Sequence, residues 1–175
     1  MFERFTQTAR DTVRGACEGA ERAGDRRVTE EHLLLALLRQ DALPLLGGRR
    51  AAIEEGLGAA RRRAGISRAD AAALAEIGID VEEIVGRVEE THGAGALAPR
   101  GRSRGQRSRF SPEARKVLER SLRVALGRRE KHIAAEHLLL ALIGVPGVAA
   151  EVLAENGVTY AAVEAALDGG GRRAS

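Results

Sequence analysis

Two stretches of this chain recur at one constant spacing. Phe5-Thr6-Gln7-Thr8-Ala9-Arg10 returns as Phe110-Ser111-Pro112-Glu113-Ala114-Arg115. Glu31-His32-Leu33-Leu34-Leu35-Ala36-Leu37-Leu38 returns as Glu136-His137-Leu138-Leu139-Leu140-Ala141-Leu142-Ile143. Both pairs lie 105 positions apart, so no gap falls between the two motifs within a copy. A repeat of this quality decides architecture ahead of any local reading. It also predicts that a site in one copy has a counterpart in the other.

At 175 residues the chain suits one domain with a real core. Only 2% of it is aromatic, and Ala, Leu, Arg and Glu dominate, which favours helix over sheet. The single cysteine, Cys17, excludes an internal disulfide and fits a reducing, cytoplasmic setting. The N-terminus shows no apolar signal core, and no apolar run reaches membrane-spanning length. The net charge of +3 is local in origin. Residues 93–109 hold Arg100, Arg102, Arg104, Arg107 and Arg109 and no acid, and the rest of the chain is slightly acidic.

Thr6 is a good N-cap, followed by Ala9, Val13, Cys17 and Ala20 at helical spacing. In the second copy Ser111 caps, Pro112 takes the first helical position, and Ala114, Val117, Leu118, Ser121, Leu122 and Ala125 form the apolar stripe. The Leu-rich motifs are apolar nearly all round, which predicts a central, buried helix in each copy. Leu74-Ala75-Glu76-Ile77-Gly78-Ile79 resembles Leu153-Ala154-Glu155-Asn156-Gly157-Val158, a helix stopped by glycine. A last helix then starts at Asp80 in copy one and at Thr159 in copy two. In that register copy one carries an insertion near 41–68, with a helix over Arg49–Ala64 presenting Ile53, Leu57 and Ala60. The expectation is an all-α fold of two four-helix repeats about a pseudo-twofold axis, with an extra helix in the first. Repeat one covers 1–92, a flexible linker 93–109, repeat two 110–168 and a disordered tail 169–175, the two repeats forming one domain.

The doubled Phe-Thr-x-x-Ala-Arg and Glu-His-Leu-Leu-Leu-Ala-Leu motifs resemble the N-terminal domain of Clp ATPase chaperones, and the opening Met1-Phe2-Glu3-Arg4-Phe5-Thr6 looks most like the ClpC branch of actinobacteria. The resemblance implies a recognition module that brings adaptors and substrates to an ATP-driven unfoldase and its protease. No Gly-x-x-x-x-Gly-Lys-Ser/Thr loop is present, so no ATPase is expected from this chain. It reads as a free-standing, monomeric, non-enzymatic homologue, presenting substrates to a Clp machine or competing with it. A fragment of a longer ATPase is the alternative.

In this family the glutamate before the histidine can bind the guanidinium of a phosphorylated arginine, which here implies Glu31 and Glu136. Hydroxyls at Thr6 and Ser111 stand with the free N–H groups of helix starts, which suit the phosphate. A glutamate in a first helical turn also serves the macrodipole with no ligand, and that reading stays open. The family's Gly-Thr before Glu-His is replaced by Thr29-Glu30 and by Ala134-Ala135. One copy gains a charge that repels phosphate and the other loses a hydroxyl. The resemblance also implies an apolar patch at Phe2 and Phe110 for adaptors or cyclic peptides, with a hydrophobic staple as the plainer role.

His32 and His137 lack metal-ligand spacing and read as core or capping residues, so no metal and no cofactor is expected. Cys17 sits on an apolar stripe as filler. The arginine-rich linker lacks interleaved aromatics and reads as solvated chain, not a nucleic-acid binder. A nucleic-acid-associated regulator is the rival from another class.

Overall fold

The computed structural model describes residues 2–40, 43–98 and 109–171, without the side chains of Phe2 and of 169–171. Among the described residues a 3₁₀ turn at Phe2–Arg4 precedes ten helices: α1 (Gln7–Ala23), α2 (Glu30–Leu38), α3 (Pro44–Gly47), α4 (Arg50–Arg62), α5 (Arg68–Glu76), α6 (Val81–His92), α7 (Pro112–Gly127), α8 (Ala135–Gly144), α9 (Val148–Glu155) and α10 (Tyr160–Gly171). Residues 99–108, most of the basic stretch, lie outside the described residues, as do 172–175. Helix α10 continues three residues into the expected tail.

Local chemistry sets the helix starts. Thr6 Oγ1 accepts from Ala9 N–H at 3.2 Å, and Ser111 Oγ accepts from Ala114 N–H at 3.0 Å. Each bond satisfies one orphan donor of a first turn, worth about 1 kcal/mol. Helix α1 buries Ala9, Val13, Ala16 and Ala20. Its counterpart α7 buries Ala114, Val117, Leu118, Ser121 and Ala125, while Leu122 is only half-buried. Helices α2 and α8 form the centre, with Leu33, Leu34, Leu37, Leu138, Leu139 and Leu140 fully enclosed.

The pseudo-twofold axis is visible in the backbone. Phe5 pairs with Ile133, and Phe110 pairs with Val28. Thr6 N–H donates to Ile133 O at 2.9 Å and Ile133 N–H to Arg4 O at 2.7 Å. The second bridge repeats this, with Ser111 N–H on Val28 O at 2.8 Å and Val28 N–H on Arg109 O at 2.9 Å. The entry to each copy's first helix is thus bonded to the loop before the other copy's central helix.

Burial corrects the register within copy one. Val158 and Leu153 are fully buried, whereas Ile79 is 39% and Ile77 72% exposed, so the Leu74–Ile79 stretch does not play the part of Leu153–Val158. Gly47–Leu57 instead matches Gly157–Leu167 at a spacing of 110, aligning Ala51-Ala52-Ile53-Glu54 with Ala161-Ala162-Val163-Glu164. Ile53 and Val163 are both enclosed, at 0% and 2% exposure. Helix α4 is therefore the counterpart of α10, and short α3 stands where copy two has α9. The added segment is not 41–68 but the α5–α6 hairpin that follows α4. The Leu-Ala-Glu string in copy one lies in α5, which buries none of its side chains.

Helix α4 packs on α2 and α9. Gly56 makes the second contact possible: a Cβ there would lie 2.9 Å from Val152 Cγ1. Ion pairs tie the hairpin to the end of α4, Arg62 to Glu89 at 3.0 Å and Arg63 to Glu82 at 3.4 Å, and α6 buries Val81 and Val85. Between α4, α5 and α9 lies a cavity of about 640 Å³.

Candidate functional site

The two Glu-His motifs open helices α2 and α8 in nearly the same way. Thr29 N–H donates to His32 Nδ1 at 3.1 Å, and Ala134 N–H donates to His137 Nδ1 at 2.9 Å. An accepting Nδ1 leaves the proton on Nε2. That nitrogen faces Asp25 Oδ2 at 3.2 Å in copy one and Glu130 Oε2 at 3.3 Å in copy two. The histidines are 3% and 1% exposed. One ring nitrogen caps the helix and the other meets a carboxylate, so these are structural side chains. Burial is the main cause that holds the His32 imidazole below the usual histidine range; Arg61 adds to it and Asp25 opposes it.

The two glutamates differ. Arg61 Nε donates to Glu31 Oε2 at 2.7 Å, and its guanidinium also reaches Asp25 at 3.5 Å. Glu31 is thus already holding a guanidinium, one from its own chain, with its side chain 14% exposed. Glu136 is half-exposed and makes no ion pair among the described residues. In the corrected register the counterpart of Arg61 is Gly171, which has no side chain to offer.

The crossed backbone ladders decide which predicted residues are neighbours. Thr6 bonds to Ile133, three residues before Glu136, and Ser111 bonds to Val28, three residues before Glu31. Each hydroxyl therefore stands near the glutamate motif of the opposite copy. Glu30 turns towards that copy as well, its Oε1 lying 3.5 Å from the Cβ position of Gly147. Burial, with smaller contributions from Glu31 and Glu113, raises the Glu30 carboxyl above the usual carboxylate range.

Phe110 is half-buried against the core and is the counterpart of enclosed Phe5. The side chain of Phe2 lies outside the described residues. Cys17 is half-buried, and burial raises its thiol pKa, the opposite of an activated thiolate. Arg109 is ion-paired with Glu21, and the other four linker arginines lie outside the described residues. Among the described residues, no helix is long and apolar enough to cross a membrane. Sequence reasoning missed Asp25, Glu130 and Arg61. The first two are acids at the repeat spacing of 105 and were open to discovery, whereas Arg61 has no counterpart to reveal it.

Paired helical repeats, exchanged backbone ladders and carboxylates at the openings of the central helices define, among the described residues, an all-helical repeat domain. The Clp repeat N-terminal domain family model matches residues 4–59 and 109–173, more than half of the chain, and the chain belongs to that family. The unmatched 60–108 takes in the α5–α6 hairpin. The chain is 34% identical over 160 residues to the negative regulator of genetic competence ClpC/MecB of Bacillus subtilis, covering 91% of this chain and 16% of that protein. It is 32% identical over 160 residues to the chaperone ClpB of Oceanobacillus iheyensis, again covering 91% and 16%. The chain thus spans about a sixth of the length of these relatives. Their spread shows the family, not one branch of it. Among solved structures, the N-terminal domain of ClpD from Arabidopsis thaliana superposes with a TM-score of 0.56 at 22% identity, over 95% of this chain and 93% of that one. The Hsp104 N-terminal domain of Candida albicans gives 0.51 at 20%, over 93% and 88%. These likenesses carry the fold.

Proposed function

We propose that this chain is a recognition module for arginine-phosphorylated or otherwise marked protein segments, and that copy two carries the binding. The observation behind this is the contrast between the glutamates: Glu31 holds Arg61 at 2.7 Å, and Glu136 makes no ion pair among the described residues. A guanidinium ligand meets an occupied acceptor in one copy and an available one in the other. The start of α1 at Thr6 supplies N–H donors for the phosphate on the Glu136 side. Phe110 adds a half-buried apolar contact for an adaptor or a cyclic peptide, with Phe2 as its proposed companion.

The biological role follows from recognition without chemistry. The module presents clients to a Clp unfoldase and its protease, or competes with the machine's own N-terminal domain and lowers free ligand by mass action. The share of 16% that the chain spans of its relatives favours a second reading, in which the same module heads a longer ATPase and feeds it directly.

Calorimetric titration with free phospho-arginine tests the assignment. The wild type should bind one equivalent, Glu136→Ala should lose at least about tenfold in affinity, and Glu31→Ala should bind as wild type. Arg61→Ala, which releases Glu31, should raise the stoichiometry towards two. Full binding by Glu136→Ala would sink the assignment.

A further inference from the structure

A second cavity, of about 260 Å³, opens in copy one between α1, α2 and α4. Its floor contains Gly15 and Gly19 of α1, and Arg22, Arg39, Arg61 and His32 stand around it. Among the described residues, no acidic side chain lines it. Asp25 and Glu31 pair with Arg61 and compensate that charge. Arg22 spends its Nε on Glu18 O at 3.2 Å, and neither Arg22 nor Arg39 makes an ion pair among the described residues.

The glycines make the slot. A Cβ at Gly15 would lie 3.5 Å from Ala36 Cβ, and one at Gly19 would lie 3.8 Å from His32 Cδ2. A methyl fits there, but a longer side chain would fill the space. In copy two the approach to the central helix is occupied. Arg120 replaces Gly15 and Val124 replaces Gly19. Arg120 lies directly over Gly144, the counterpart of Arg39. The cavity at that place, of about 420 Å³, is lined by Arg120, Arg123, Val124 and Arg128 with Tyr160 and Glu164 of α10, and by no residue of α8. Two glycines inside α1 cost the helix about 1 kcal/mol each relative to alanine. Copy one thus keeps a cationic slot against its central helix, whereas the copy-two cavity reaches no residue of α8 and takes Glu164 into its lining.

We infer that this slot binds a phosphate-type oxyanion, either free or carried on a side chain. Guanidinium forks match tetrahedral oxyanions in bidentate fashion, Arg22 and Arg39 carry the uncompensated charge, and the glycine floor lets the anion approach closely. Arg61 belongs both to the slot and to the Glu31 pair, so an anion that draws on Arg61 loosens its hold on Glu31. The slot stands without the phospho-arginine reading; only that last coupling rests on it.

The test is nitrogen-15 NMR and calorimetric titration of the full chain at fixed ionic strength. The probes are inorganic phosphate, a phosphoserine peptide and the same peptide unphosphorylated. Phosphate should shift the amides of Gly15, Gly19, His32 and Arg39 together. Arg22→Ala/Arg39→Ala should weaken binding at least about tenfold. Gly19→Val, which closes the slot and keeps every charge, should do likewise. A stronger response to the phosphoserine peptide identifies a phosphorylated side chain as the source, and an equal one identifies the free ion. Shifts confined to the Thr6 and Ser111 helix starts, or wild-type binding by both variants, would overturn the inference. Glu136→Ala should leave the phosphate response intact, and the Arg22/Arg39 variant should keep the phospho-arginine site of copy two, so the two ideas fail separately.

Discussion

His32 links the capping of α2 to the charge pattern around it. Its Nδ1 accepts the Thr29 N–H, and its pKa lies below the ordinary value of about 6.5. The unfolded chain therefore binds the proton more readily than the fold does, and acid favours unfolding. Stability that is fully present above the unfolded value is lost as pH falls through it towards the folded one, with a slope of at most about 1.4 kcal/mol per pH unit. Urea melts from pH 7.5 to 5.5 should show this loss, and the pH dependence of His32→Gln should be shallower. Equal slopes in both proteins would refute the role given to His32. At this scale the doubled Glu-His motif already marked both histidines as capping or core residues. The ion pair of Glu31 was not legible, because Arg61 lies 30 residues away in a helix whose register had first to be found.

Helix α4 carries two glycines with opposite surroundings. Gly58 has open space where a Cβ would stand, whereas at Gly56 the added atom meets Val152 at 2.9 Å. Gly58→Ala should stabilise by about 0.5–1 kcal/mol through helix propensity and unfolded-chain entropy. Gly56→Ala gains the same propensity but forces α4 away from α9, at a cost of about 1–3 kcal/mol for overpacking. Thermal melts should therefore move in opposite directions, and a higher Tm for both would show that the α4–α9 contact yields without cost. Helix existence was largely readable from caps and periodicity: Ser111, Asp80 and the Ile53-Leu57-Ala60 face all stand where expected. Equivalence between helices was not. Two short Leu-Ala-Glu strings looked alike, yet one covers the core and the other is exposed, and burial alone separates them.

Across the whole molecule the two copies share a core built on α2 and α8, and the hairpin lies outside it. Helix α5 buries no side chain and α6 buries only Val81 and Val85. Replacing 64–108 by a short Gly/Ser link should leave cooperative unfolding intact, with a loss below that of Leu139→Ala, about 2–5 kcal/mol. Chemical denaturation compares the two directly, and a non-cooperative or unfolded deletion variant would show that the hairpin belongs to the core. The repeat by itself determined the all-helical class, the pairing of copies and the family, because motif spacing and helical periodicity are properties of neighbours along the chain. Tertiary structure decided which helix answers to which, that Thr6 bonds to the loop before the opposite copy's central helix, that Arg61 holds Glu31, and that glycines leave a slot against the central helix in one copy. Those facts depend on contacts between residues far apart in sequence, and a twofold pattern of letters does not say which of two similar surfaces ends up covered.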